Sequence, residues 1–102
     1  VLCLSEHGRT PKFYATSAGA PGRDHWSRAM SVLLAGGGLR MGQVVGKTNR
    51  RAEEPVERIM DSNCLLATLY QRFGIDPAGA YLDHAGRPIP ILTEGEPIRE
   101  LF

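Results

Sequence analysis

Two short clusters near the start of the chain each place an acidic residue directly before a histidine. The pairs are Glu6-His7 and Asp24-His25. Carboxylate oxygens and neutral imidazole nitrogens are ligand types that suit zinc and other divalent metals. Each pair also has an ordinary interpretation, in which the carboxylate accepts backbone hydrogens and the histidine is hydrogen-bonded in a loop. Two such pairs in one stretch of chain make a metal site the hypothesis to test.

An arginine lies close to each pair. Arg9 follows the first histidine by two residues, and Arg23 directly precedes the second acid. A guanidinium group is planar and can hold a phosphate or similar oxyanion through two parallel hydrogen bonds. Arg9 and Arg23 are therefore the candidate anion-binding residues, and the whole pattern predicts a site for a small anionic ester. Asp24 and Trp26, which flank the second histidine, are expected to pack around that site.

Other motifs for phosphate or ester chemistry fail on inspection. Gly46-Lys47-Thr48 looks like the end of a P-loop, but Met41 stands where that motif requires a glycine. The run Gly36-Gly37-Gly38 does not continue into the dinucleotide-binding fingerprint. No serine lies in a Gly-x-Ser-x-Gly nucleophile elbow. We therefore expect no catalytic nucleophile among these residues.

Composition excludes several classes of partner. The 102 residues carry a formal net charge of +1, which gives no broad field for nucleic acid. No window approaches the roughly 18 apolar residues that a transmembrane segment needs. Cys3 and Cys64 are single and far apart, so they indicate neither a disulfide framework nor a zinc knuckle. Both cysteines are predicted to be buried packing residues.

The chain opens on an apolar run that predicts a buried strand. Residues 1–4 are all apolar, which is the pattern of a strand covered on both faces in a parallel α/β sheet. Because a natural protein rarely opens inside a strand, we expect residues 1–102 to be the C-terminal fragment of a single larger domain whose upstream part is missing. Residues 30–35 and 43–45 are further strand candidates. Residues 10–27 are a long loop without periodicity. Loops of this length are usually functional or disordered, and the acid-histidine pairs on either side favour a functional loop here.

A helix is the clearest local element. Apolar residues at spacings of three and four predict a helix over residues 62–73. Asp61 or Ser62 can cap its amino end, and Gly74 supplies the left-handed residue that ends it. His84 is predicted to be a surface residue. Residues 49–57 are expected to be an exposed connection. Residues 81–92 are expected to be an irregular tail or an edge strand.

Several blocks of the sequence resemble a known family. In chain order they are Ser5-Glu6-His7-Gly8-Arg9-Thr10-Pro11, Gly22-Arg23-Asp24-His25-Trp26, Ala35-Gly36-Gly37-Gly38-Leu39-Arg40, Leu65-Leu66-Ala67-Thr68-Leu69-Tyr70, Phe73-Gly74-Ile75-Asp76-Pro77 and Gly95-Glu96-Pro97-Ile98-Arg99-Glu100-Leu101. Through these blocks the chain resembles the carboxyl-terminal part of a bacterial sulfatase-like family, domain of unknown function 1501, within the alkaline phosphatase superfamily. The resemblance implies an α/β fold, with a mainly parallel sheet, flanking helices and divalent metals at the strand ends.

The resemblance also implies which residues bind metal. In the wider superfamily, one strand delivers an acid-histidine-glycine ligand pair, and a later loop delivers another histidine. Glu6-His7-Gly8 matches the first and His25 the second. Relatives commonly carry an aromatic or other apolar residue where this chain has His7. His7 therefore either restores the superfamily's ligand or fills the space of that aromatic ring, and Glu6 and His25 rank above it as ligands for zinc, manganese or calcium.

The function implied by the resemblance is metal-dependent hydrolysis of a sulfate or phosphate ester. Metal ions would polarise the transferred group, and Arg9 or Arg23 would offset its charge. The nucleophile and the remaining acidic ligands are expected upstream, so the fragment alone is predicted to be inactive. The alternative is a non-catalytic binding or scaffold protein on the same fold, because fold does not determine function. Export signals are common in such families, which implies an extracytoplasmic location.

Overall fold

Ten short strands, one α-helix and one 3₁₀ turn make up the regular structure. A computed structural model describes all residues, Val1–Phe102. The strands are β1 Leu2–Cys3, β2 Gly8–Arg9, β3 Tyr14–Ala15, β4 Pro21–Gly22, β5 His25–Trp26, β6 Leu33–Leu34, β7 Lys47–Thr48, β8 Pro55–Glu57, β9 Ala80–Leu82 and β10 Pro88–Pro90. Helix α1 covers Ser62–Phe73, and the 3₁₀ turn covers Arg99–Leu101. The chain divides into two compact units, Val1–Ile59 and Met60–Phe102.

All five β-ladders are two-stranded and antiparallel. They pair β1 with β6, β2 with β5, β3 with β4, β7 with β8 and β9 with β10. The prediction of an α/β fold with a mainly parallel sheet and flanking helices is therefore wrong. Parallel neighbours need a crossover of a dozen or more residues, usually a helix, and residues 1–59 contain no helix. The strands of this unit pair antiparallel instead.

The β1–β6 ladder contains the apolar runs that were predicted to be buried. Backbone hydrogen bonds of 2.7 and 2.8 Å link the terminal amine and carbonyl of Val1 to Ala35 and extend this ladder. Both strands are only two residues long, and Leu33 is 58% exposed. Cys3 is exposed and Cys64 half-buried, so the prediction that both are buried is wrong. No apolar side chain of the first unit is buried, so hydrogen bonds rather than a core hold these ladders together.

Residues 8–26, called here the hairpin arm, form one interrupted β-hairpin where an irregular loop was predicted over 10–27. The β2–β5 ladder continues through a 2.9 Å hydrogen bond from the Thr10 amide to the Asp24 carbonyl oxygen. The β3–β4 ladder follows towards the tip of the arm. Between the two ladders, residues 11–13 stand opposite Arg23 alone. These residues therefore interrupt the pairing between the two ladders.

The rest of the first unit is a second hairpin. Strands β7 and β8 pair with a register irregularity, and the Asn49 side-chain oxygen accepts hydrogen bonds from two amides of the connecting turn, Arg51 at 3.2 Å and Glu53 at 2.9 Å. The strand predicted at 43–45 is wrong, since residues 43–45 lie outside any strand and pairing begins at Lys47. The connection predicted over 49–57 is correct only as far as residue 54, because β8 follows it.

Helix α1 of the second unit confirms the predicted helix, with the same bounds. The Asp61 carboxylate accepts a 3.0 Å hydrogen bond from the Cys64 amide at the amino end. Gly74 ends the helix with φ 71° and ψ 24°, and the Ile75 amide donates to the Tyr70 carbonyl oxygen at 2.9 Å. Both ends therefore form as local capping rules predict. The structure has no helix of the length and apolarity that crossing a membrane requires.

The buried side chains of the second unit join the helix to the C-terminal segment. The buried apolar residues are Ala67, Ile98 and Leu101. Thr68 is fully buried, donates a 2.7 Å hydrogen bond to the Cys64 carbonyl oxygen and accepts a 2.9 Å bond from the Ile98 amide. The tail predicted to be irregular or an edge strand contains the β9–β10 hairpin. His84, in the turn of this hairpin, is exposed as predicted.

Candidate metal and anion site

The β2–β5 ladder brings the two acid-histidine clusters together. Arg9 lies directly opposite His25, and Gly8 lies opposite Trp26. Paired residues of an antiparallel ladder share a face, and residues two apart along a strand also share one. This places His7 and Arg9 on the face of His25. The imidazole rings of His7 and His25 stack there, with centroids 5.0 Å apart and planes inclined by 20°.

Glu6 lies close enough to both imidazoles to sense their charge. Its pKa is held below the ordinary value, first by a hydrogen bond from its own backbone amide and then by the hydrogen bond from the Ser5 hydroxyl. That hydroxyl is 2.9 Å from the carboxylate oxygen. Positive charge on His25 and His7 lowers the pKa further. The Glu6 side chain is therefore an exposed carboxylate whose ionised form is favoured beside two imidazoles.

The donor types of this cluster suit a divalent cation, whereas the set of ligands is incomplete. No group of three or more His, Cys, Asp or Glu side chains is placed to hold a metal ion. The nitrogen lone pairs of an imidazole lie in the ring plane, so two nearly parallel rings do not direct them to one point. A shared cation would require one ring to rotate, and both His7 and His25 are exposed. As found, His7 makes the stacking contact that an aromatic ring at position 7 would make.

Both candidate anion-binding arginines lie on the hairpin arm. An Nη1 atom of Arg9 donates a 3.4 Å hydrogen bond to the Arg23 carbonyl oxygen. The guanidinium carbon of Arg23 lies 5.5 Å from the centre of the Phe13 ring. Both arginines are exposed, and neither forms an ion pair. Their remaining N–H groups are therefore accessible to an oxyanion.

Asp24 is bound to a tyrosine on the arm. The negative charge of Asp24, together with the hydrogen bond that the Tyr14 hydroxyl donates to it, raises the pKa of Tyr14. The Tyr14 ring lies over Gly22, where an added Cβ would be 3.1 Å from its Cζ atom. This cross-strand arrangement holds the Asp24 side chain against Tyr14. Sequence reasoning missed Tyr14, whose only signal was an aromatic residue in a stretch otherwise rich in small residues.

Trp26 lies on the opposite face of the ladder from His25, because successive strand residues alternate between faces. Its indole Nε1 donates a 2.6 Å hydrogen bond to the Glu53 carbonyl oxygen, and the Arg28 guanidinium carbon lies 5.7 Å from the ring centre. The structure therefore places Trp26 as an anchor between β5 and the turn before β8. Trp26 therefore holds β5, the strand that carries His25, by a contact on the face opposite His25.

Comparison with known proteins assigns the chain to a family. The model of a family described as a protein of unknown function (DUF1501) matches residues 1–102, the full length of the chain. The chain belongs to the DUF1501 family, and the family resemblance drawn from the sequence blocks is confirmed at that level. Searches of curated proteins and of solved structures found no match.

Proposed function

We propose that the chain contributes metal ligands and anion-binding arginines to a hydrolase that acts on a sulfate or phosphate ester. The observation that carries this proposal is the β2–β5 ladder, which pairs Arg9 with His25, while the His7 ring of the neighbouring Glu6-His7 pair stacks on His25. The proposed kinship with sulfatases and the alkaline phosphatase superfamily rests on the residue blocks around the acid-histidine pairs. It concerns the chemistry of the site and does not depend on a shared fold.

Each residue of the cluster has a separate task in this proposal. The Glu6 carboxylate and the His25 imidazole bind the cation, and the stacked His7 ring limits the rotation of His25. A bound divalent metal, whether zinc, manganese or calcium, supplies charge that polarises the ester group. Arg9, directly opposite His25, and Arg23 neutralise the oxygens of that group. The hydrogen bond from Tyr14 holds the side chain of Asp24, the residue next to Arg23.

We further propose that protein outside these 102 residues completes the site. Catalytic zinc sites use three protein ligands and one open position, which is more than Glu6 and His25 supply. The nucleophile and the other ligands then come from elsewhere, and the 102 residues alone are inactive. Burial supports this proposal, because no apolar side chain of residues 1–59 is buried. Isolated two-stranded hairpins are marginally stable at best in water, so these ladders need additional cover.

A non-catalytic anion-binding or scaffold protein is the second candidate. One observation favours it, namely that no three metal-ligating side chains converge. Such a protein would hold sulfate or phosphate through Arg9 and Arg23 without turning over an ester. The intact protein, meaning these 102 residues together with the protein proposed to complete the site, is assayed for hydrolysis of aryl phosphate or aryl sulfate. This assay separates the two candidates, since only the hydrolase releases free phosphate or sulfate.

The metal content of the intact protein tests the proposed ligands. We expect His25→Ala to lower the metal-to-protein ratio, measured by elemental analysis after dialysis, because it removes one of the two strongest ligand candidates. His84→Ala is the matched control, since His84 also follows an aspartate and is exposed. Equal ratios in His25→Ala and in the parent protein, or a parent protein without metal, would contradict the proposal.

A further inference from the structure

The β9–β10 hairpin of the second unit has two outer edges of different chemistry. Backbone hydrogen bonds of 2.9 Å join the strands at both ends of the ladder, from Asp83 to Arg87 and from Ile91 to Gly79. Bonded and non-bonded pairs alternate along an antiparallel ladder. Tyr81 and Ile89, midway between those ends, are therefore a bonded pair. The residues on either side of them direct their backbone groups away from the hairpin.

The outer edge of β10 cannot donate hydrogen bonds. The two β10 residues that direct their backbone groups outwards are Pro88 and Pro90, which lie opposite Leu82 and Ala80. Proline has no backbone N–H, so this edge offers no donor to a further strand. Proline on an edge strand is one of the devices by which natural proteins prevent strand addition.

The outer edge of β9 has no such block. Ala80 and Leu82 each direct an N–H and a C=O outwards, and all three residues of β9 are exposed. Tyr81 and Leu82 are each 72% exposed. A row of backbone donors and acceptors is what an extended strand binds when it adds to a sheet. This edge belongs to the second unit, which buries side chains of its own, so the cover proposed for residues 1–59 does not account for it.

We propose that the β9 strands of two copies of this protein pair antiparallel across a twofold axis at Tyr81. This register places Ala80 opposite the partner's Leu82, so the outward N–H and C=O groups of both residues bond in both directions. The two Tyr81 side chains become cross-strand neighbours, on the face that also carries Ile89. This dimer does not depend on the proposed hydrolase, because β9 lies in the second unit and the candidate site in the first.

Charge and closure both favour a second copy as the occupant of this edge. The pairing places Asp83 opposite the partner's Gly79, so no like charges meet, and the Asp83 carboxylate is already paired with Arg87 at 2.9 Å. The β10 prolines block both outer edges of the joined sheet, so the assembly ends at a dimer, the commonest homo-oligomer. Each β9 strand has only three residues. The interface is therefore small, and we expect the dimer to dissociate on dilution.

Sedimentation equilibrium of the intact protein tests this dimer, with charge at position 81 as the probe. We expect the parent protein to be a monomer at about 1 µM and a dimer at about 1 mM. Tyr81→Glu and Tyr81→Lys should each weaken dimerisation about fivefold more than the uncharged control Tyr81→Gln, because they bring like charges together at the axis. An equimolar mixture of the Tyr81→Glu and Tyr81→Lys variants should associate more tightly than either variant alone, since opposite charges then meet.

Leu82→Pro tests the backbone contact separately. It removes an outward N–H but no hydrogen bond within the hairpin, so the variant should fold and lose dimerisation. Leu82→Ala keeps the N–H and should dimerise more tightly than Leu82→Pro. A parent protein that stays monomeric at about 1 mM refutes the proposal. Whether or not Leu82→Pro folds, a mixture of the Tyr81→Glu and Tyr81→Lys variants that associates no better than each alone also refutes it.

Discussion

Gly8 gives the sharpest link between the fold and the candidate site. It pairs with Trp26 in the β2–β5 ladder and lies between His7 and Arg9. A methyl group on Gly8 would overlap the carbonyl oxygen of Ala29 and lie 2.9 Å from that of Trp26, whereas ordinary contacts are 3.4–4 Å. Both are backbone atoms and cannot rotate away. Gly8→Ala must therefore displace the backbone of Gly8, Trp26 or Ala29, which disturbs the β2–β5 ladder and the segment that follows it.

The size of the effect follows from what this movement breaks. Overpacking in a closely packed position costs about 1–3 kcal/mol. Opening the ladder also weakens backbone hydrogen bonds, each of which contributes about 0.5–1.5 kcal/mol. We expect the free energy of unfolding to fall by about 2–4 kcal/mol. Since His7 precedes Gly8 directly, the stack of His7 on His25 should separate as well.

Chemical denaturation of the intact protein measures this loss, and the imidazole proton resonances of His7 and His25 report on the stack. Gly22→Ala is the matched control on the same arm. Its methyl group would lie 3.1–3.3 Å from side-chain atoms of Tyr14 and Thr16, which can move aside, so a loss below about 1 kcal/mol is expected. If Gly8→Ala is as stable as Gly22→Ala and the imidazole resonances do not shift, the described packing of the ladder is incorrect.

Two further predictions concern the buried Thr68 hydroxyl and the Glu6 carboxylate. Thr68→Val should lower the free energy of unfolding by about 1–3 kcal/mol in denaturation experiments, because it leaves the buried Ile98 amide without its acceptor. Thr68→Ser keeps the hydroxyl and should cost about 1 kcal/mol or less. A larger loss for Thr68→Ser than for Thr68→Val would contradict this role. The Glu6 pKa, measured by NMR titration, should lie below its ordinary value. The ionised Glu6 side chain therefore contributes to stability above the pKa of the unfolded carboxyl group, and this contribution is lost as the pH falls through the folded pKa. Ser5→Ala should raise that pKa, and no change would show that the Ser5 hydroxyl does not hold the carboxylate.

Local sequence signals predicted helix α1 completely. Asp61, Gly74 and the apolar spacing act within a few residues of the helix, so no knowledge of the remaining chain was needed. Sequence signals did not predict how the strands pair. The apolar run at 1–4 fits a buried parallel strand and an exposed antiparallel one equally well, because periodicity reports side-chain environment rather than strand direction. Pairing partners from distant positions, such as Leu33, decide the direction.

Only part of the candidate site could be predicted from the sequence. The acid-histidine pairs and the two arginines stand out by residue type, and the ladder brings their strands together. The hairpin arm itself was missed, because its strands are only two residues long and residues 11–13 interrupt their pairing, so no alternating pattern marks them. Tyr14 and Phe13 make their contacts with Asp24 and Arg23 across the hairpin arm. Their part in the site therefore depended on register, which residue types do not encode.

The most direct test of the central claim is the position of a bound cation in crystals of the intact protein. Anomalous scattering at the zinc edge, after soaking with zinc, locates the ion without reference to any assumed ligand. The proposal predicts a peak about 2.0–2.2 Å from a nitrogen of His25 and an oxygen of Glu6. A zinc peak bound by other residues, with these two side chains free of metal, would contradict it.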